Sequence, residues 1–239
     1  MLASDIPNHL RPYRGQVFNE KRIVMTKALL VCGAIAGPLF VVGFLFIGAT
    51  RANYDPLRHP VSSLALGDYG WVQSANFVVA GLLTLALSVG LRRALRLGKG
   101  STWGPLLVGV WALGLLGAGV FVTDPVSGYP PGAPDGLSSN SWHGALHDLF
   151  SLIGFVALAA ACFVFGRRFA GRGKRGWALY SAVSGGVFAV LFVLSSAGFA
   201  QVEGLVDLAG LVQRVAVVVG FGWLTLLAVH LLRGLSPDM

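Results

Sequence analysis

Charge is what this chain of 239 residues has least of. Asp, Glu, Lys and Arg make up 12% of it, where a soluble domain carries about 25%. So few charged groups cannot clothe a water-soluble fold of this length, which excludes an ordinary globular domain. Only two cysteines are present, Cys32 and Cys162, both inside apolar runs. That excludes a disulfide framework and argues against a cysteine-based metal site. The segment 1–27 has no short apolar core followed by a small-residue cleavage site, so no cleavable signal peptide is expected. Acidic residues are scarcer than basic ones, 10 against 18, leaving a formal charge of +8.

What is abundant is apolar. Hydrophobic residues make up 55% of the chain, and glycine occurs 33 times, as it does in membrane helices that pack closely. Six runs have about the 20 residues that carry a helix across a bilayer core: 28–49, 71–91, 103–123, 142–165, 177–199 and 208–232. The expected fold is an all-α bundle of six transmembrane helices forming one domain over 28–232. A basic, partly disordered tail (1–27) would precede it and a short tail (233–239) would follow. Pro38 marks an expected kink in the first span, and the glycines at 109, 114 and 117 a close-packing face in the third.

The basic residues are not spread evenly. Arg11, Arg14, Lys21, Arg22 and Lys27 precede the first span. Arg92, Arg93, Arg96 and Lys99 join the second and third. Arg167, Arg168, Arg172, Lys174 and Arg175 join the fourth and fifth, and Arg233 follows the sixth. Six alternating spans put all of these on one side, which the positive-inside rule makes the cytoplasm. Both termini are then cytoplasmic. Asp55, Asp68, Asp124, Asp135, Asp148, Glu203 and Asp207 gather towards the outer side. Trp71, Trp103, Trp142 and Trp177 open spans at one interface or the other, as anchoring tryptophans do. The basic loops read as topology signals and contacts for anionic membrane lipids, not as a nucleic-acid surface.

Candidate chemistry concentrates on the expected outer face. His143 and His147 are one helical turn apart and share a face, the spacing of paired zinc ligands. Ser141 is a candidate N-cap, which puts His143 in the first turn. His59, in a loop before Pro60, is the candidate third metal ligand. Zinc held this way would be a cofactor that lowers the pKa of a bound water for hydrolysis. Asp124 or Asp148 would act as base or orient a ligand, and Ser62 or Ser63 would position water or substrate. The alternative is that the histidines cap carbonyls in a structural network. Arg214, near the start of the sixth span, needs a partner because a charge in lipid is costly. A buried pair with Asp148, Asp124, Glu203 or Asp207 is expected. Gln213, Gln73 and Asn76 would line the same polar pocket, where a lipid or small ligand would bind at the outer face.

The loop Tyr54-Asp-Pro-Leu-Arg-His-Pro-Val-Ser-Ser-Leu-Ala, the run Gly70-Trp-Val-Gln-Ser-Ala-Asn-Phe-Val-Val-Ala-Gly81, the Thr123-Asp-Pro turn and His143-Gly-Ala-Leu-His147 resemble the DUF998 family of bacterial membrane proteins. The resemblance implies a six-helix architecture in a bacterial plasma membrane and carries no activity. A more distant likeness is to alkaline ceramidase-type membrane hydrolases, which combine a Ser, an Asp and three His around zinc. It implies that Ser62 or Ser63, Asp124, His59, His143 and His147 supply those residue types for cleaving a lipid-like amide or ester. Against it stand six spans where those enzymes have seven, and a His pair in the fourth span where they have it in the last.

Overall fold

A computed structural model describes residues 11–95, 98, 100–136 and 141–235, with side chains from residue 20 onward. Arg96, Lys99 and the 138–140 part of the polar segment before His143 lie outside the described residues. So do residues 1–10 and 236–239.

Six long helices carry the fold: α1 (Arg11–Thr50), α2 (Gly70–Ala94), α3 (Trp103–Val120), α4 (Trp142–Ala170), α5 (Arg175–Phe199) and α6 (Ala209–Gly234). All six have a stretch long and apolar enough to cross a membrane. Large apolar side chains point outward along them, among them Phe46 at 70% and Val193 at 63% exposure. A protein facing water could not keep so much apolar surface open without associating, so the chain is an integral membrane protein.

Of the expected, partly disordered tail (1–27), the described part is helical, since α1 starts at Arg11. Pro12 falls in the first turn, where its missing N–H has no intrahelical partner to lose. The chain from there to Lys27 holds no other proline. The third helix closes at Val120, and Phe121 turns extended (φ −98°, ψ 114°), three residues before the expected end. α1 also runs through Pro38 as one helix.

Each helix packs on its neighbours in sequence, and α6 closes on α1, forming a ring. Buried Phe40, Phe44, Trp111, Phe165, Phe188, Phe221 and Trp223 form much of its core. Glycine brings α3 and α4 into backbone contact: a Cβ on Gly114 would lie 2.9 Å from Gly154 Cα. Chain direction puts the described basic loops at one end of the ring, the basic end. The connections 51–69, 121–141 and 200–208 fall at the other, the loop end.

The loop end is tightly built. Between α1 and α2 the chain makes a buried 3-10 turn, Val61–Ala65, and enters α2 through Tyr69 in the left-handed region (φ 60°). Arg58 ties the three connections together. It pairs with Asp135 at 2.8 Å and Asp207 at 3.3 Å, and its Nε donates to Ser127 O at 3.2 Å.

Candidate functional site

Two polar assemblies and one cavity occupy the loop end. The first assembly joins α3 to α4. Ser141 is the N-cap of α4, accepting from Gly144 N at 3.0 Å. Its hydroxyl donates to Asp124 Oδ1 at 2.6 Å, and its backbone N–H donates to Asp124 Oδ2 at 2.9 Å. Asp124 therefore places its carboxylate over the amino end of α4, where free N–H groups and the helix dipole favour negative charge. Only glycine fits beneath it: a Cβ on Gly144 would sit 2.1 Å from Asp124 Oδ2.

Both histidines of α4 complete this joint. His143 Nδ1 lies 2.9 Å from Val122 O, and His147 Nδ1 lies 2.8 Å from Phe121 O. A carbonyl can only accept, so each Nδ1 carries a proton, and in the neutral ring Nε2 is the lone-pair nitrogen. The two carbonyls belong to the two residues just past α3, which lie outside the helix.

The second assembly surrounds Arg214, which is 8% exposed. Its guanidinium donates to His59 O at 3.0 Å, to Gly210 O at 2.8 Å and to the Tyr54 hydroxyl. It also stacks over the rings of Phe44 and Tyr54. Tyr54 donates onward to Pro60 O at 2.9 Å. The expected Arg214–carboxylate pair is thereby corrected. Among the described residues the ion pairs are those of Arg58, and Arg214 is satisfied by carbonyl dipoles and a phenol. Oriented carbonyls satisfy a guanidinium's planar set of donors and bring no second charge to desolvate.

His59 serves this second assembly. Its Nδ1 accepts from Asp55 N at 2.9 Å, and its ring packs between Tyr54 and Tyr129. Burial holds the imidazole below its ordinary pKa, with Asp55 acting in the opposite direction. Burial likewise pushes the Tyr54 phenol up to about 12, outweighing the nearby Arg214 cation. Tyr129 is also raised by burial.

Between the assemblies lies a cavity of about 360 Å³. Its walls come from all six helices and all three connections. Phe40, Phe77, Trp111, Phe155 and Phe192 supply aromatic surface, and His147, Asp148, Asp124, Ser62, Ser151 and Gln213 supply polar groups. Trp111 Nε1 is buried with no hydrogen-bond partner. Leu152, Phe155, Phe192, Ser196 and Phe199 place one side of the cavity along the α4–α5 seam.

The candidates chosen from sequence therefore separate. His147, Asp148, Asp124, Ser62 and Gln213 meet at the cavity, and Gln213 also accepts from Val61 N at 2.8 Å. Ser63 is buried in the 3-10 turn and does not cap it. Gln73 and Asn76 lie at the α1–α2 contact, where Asn76 Nδ2 donates to Phe40 O at 3.1 Å opposite Gly43. Arg214 is not part of the cavity wall. His59, His143 and His147 do not converge: among the described residues no three His, Cys, Asp or Glu side chains are grouped to hold a metal ion. Sequence reading passed over Tyr54, Arg58 and Trp111. The first two stood in the quoted loop, but nothing marked them as partners of residues 160 and 149 positions away.

A family comparison decides the relationship, with a match over residues 34–230. The chain belongs to the DUF998 family. Its description is "protein of unknown function", and the match takes in the cavity and both assemblies. No curated protein and no solved structure matches the chain. The likeness to ceramidase-type hydrolases finds no support from these comparisons.

Proposed function

We propose that this DUF998 protein binds an amphiphilic small molecule or lipid at the loop end, which faces away from the cytoplasm. The cavity carries the reading: its depth is aromatic and its polar groups gather where α4 begins. Ligand sites combine mostly apolar walls with a few convergent polar groups in this way. Asp148 to Phe155 spans seven residues of helix, about 10 Å, room for part of an alkyl chain beneath a polar head. The orientation rests on the basic residues collected at the opposite end. The test is saturable binding of a fluorescent alkyl probe to protein in nanodiscs, comparing wild type with Ser151→Phe, which fills the cavity from α4. Binding lost in the variant supports the site. Identical binding by both would place the ligand elsewhere or nowhere.

A second reading, a zinc-dependent hydrolase of a lipid-like amide or ester, is favoured by one observation. His143 and His147 both give Nδ1–H to a carbonyl, as metal-ligating histidines do through their second nitrogen. His143 and His147 would hold the ion through Nε2. His59 and Asp124 are engaged in the contacts described above. Stoichiometric metal in purified protein, lost in both His143→Ala and His147→Ala, would bring this reading forward. Metal-free protein at neutral pH would end it.

A further inference from the structure

The charges around the cavity carry the reading further, to the class of ligand. No lysine or arginine is among its lining residues. The three arginines at the loop end are engaged elsewhere. Arg51 donates to Leu64 O, Arg58 pairs with Asp135 and Asp207, and Arg214 holds His59 O, Gly210 O and Tyr54. The charged groups in the wall are two carboxylates, Asp124 and Asp148. Asp124 is already compensated by the amino end of α4 and by Ser141. Asp148 has no ion-pair partner among the described residues and stands exposed at the α4–α5 seam. Trp111, Phe155 and Phe192 line the same cavity and supply apolar aromatic surface for a tail. An anionic head would meet uncompensated carboxylate with no counter-charge, and a neutral head would leave it without a partner.

We infer that the cavity takes a cationic amphiphile, an ammonium head at Asp148 with an alkyl or aryl tail among the aromatic rings. The inference rests on the cavity being a ligand site. Its test is designed so that the two can fail separately. Decyltrimethylammonium, decanol and decanoate would be titrated into wild-type protein in zwitterionic nanodiscs, with Ser151→Phe protein giving the background of membrane partitioning. Decyltrimethylammonium should bind about tenfold more tightly than decanol, the scale of one partly desolvated ion pair. Decanoate should bind most weakly. Asp148→Asn should erase the ammonium preference over decanol, Asp148→Glu should retain it, and Asp68→Asn, away from the cavity, should have no effect. Equal binding of ammonium and decanol by wild type, or stronger binding of decanoate, would overturn the cationic assignment while the cavity remained a ligand site. No binding above the Ser151→Phe background by any of the three would overturn both. The ranking in wild type stands as a test even where an Asp148 variant fails to fold.

Discussion

Replacing Arg214 by Met keeps a long unbranched side chain and removes every donor. The wild-type guanidinium is the nearer donor to the buried His59 carbonyl, which otherwise has only the Tyr54 hydroxyl at 3.3 Å, and it occupies a lone pair of that buried hydroxyl. Gly210 O keeps its place in the ladder of α6, so its loss counts for less. Leaving a buried polar group unsatisfied costs about 1–3 kcal/mol. Two such groups, with loss of stacking on Phe44 and Tyr54, put the change at about 3–5 kcal/mol. For a protein of this size that corresponds to roughly 10 °C in Tm, at ~2–4 °C per kcal/mol. Arg214→Lys keeps the charge without the planar fork and should fall between the two. Thermal unfolding in detergent, followed by reactivity of the buried Cys162 thiol, reads the effect. Alkyl-probe binding to folded Arg214→Lys at low temperature should match wild type, because Arg214 does not line the cavity. An Arg214→Met midpoint within about 2 °C of wild type would refute the energetic reasoning. A folded, stable Arg214→Lys without probe binding would refute the separation of the two assemblies.

Gly144→Ala should be destabilising by about 2–4 kcal/mol, as overpacking and loss of the cap combine. Because its Cβ meets Asp124, a double-mutant cycle should show most of that cost absent in an Asp124→Ala background. Additive effects would mean the carboxylate is not the obstacle. His59 makes stability depend on pH. Its folded pKa lies below the unfolded value of about 6.5, so the unfolded state binds the proton first. The stabilisation is therefore complete above the unfolded pKa and lost as pH falls below it. Protonated Nδ1 would also face the Asp55 N–H it now accepts from, and His59→Asn should flatten the Tm profile between about pH 7 and 5; an unchanged profile would assign that dependence to other groups. The proposed orientation is testable by thiol labelling in a Cys32→Ala, Cys162→Ala background. Gly136→Cys and Gly176→Cys both add a side chain in open space; the first should label from outside intact cells and the second should not, and the reverse pattern would invert the topology.

The bundle was legible because a membrane helix is a property of a continuous stretch. Length, hydropathy and the placement of Lys and Arg along the chain determined six spans without reference to any contact. The Ser141 cap was legible for the same reason, since donor and acceptor lie three residues apart. His143 and His147 announced themselves as a pair. Carbonyl capping was one of their two readings, but which carbonyls they take depends on α3 stopping at Val120 and leaving two beside α4. Arg214 was legible as a charge needing compensation. A carboxylate partner is what residue chemistry suggests first, and backbone carbonyls carry no mark in a sequence. The 40-residue α1 was missed because proline and polar composition suggest disorder unless the proline falls in a first turn.

The two assemblies also bear on how the proposed ligand would reach the cavity. One fixes α4 to the end of α3 through Asp124, His143 and His147. The other fixes the loop before α2 to α6 through Arg214, and Leu211 N–H adds a bond to Leu57 O at 2.9 Å. The side-chain hydrogen bonds at the loop end of α5 are local by comparison: Ser195 donates to Phe192 O and Gln201 to Phe199 O. α5 is thus the helix at this end without a long-range polar tie among the described residues, and it forms one side of the seam that borders the cavity. Moving it outward breaks apolar contacts, which surrounding lipid replaces at little cost. Moving α4 or α6 would strand buried polar groups, each costing about 1–3 kcal/mol. For the proposed ligand, entry along the α4–α5 seam would therefore strand the fewest buried polar groups.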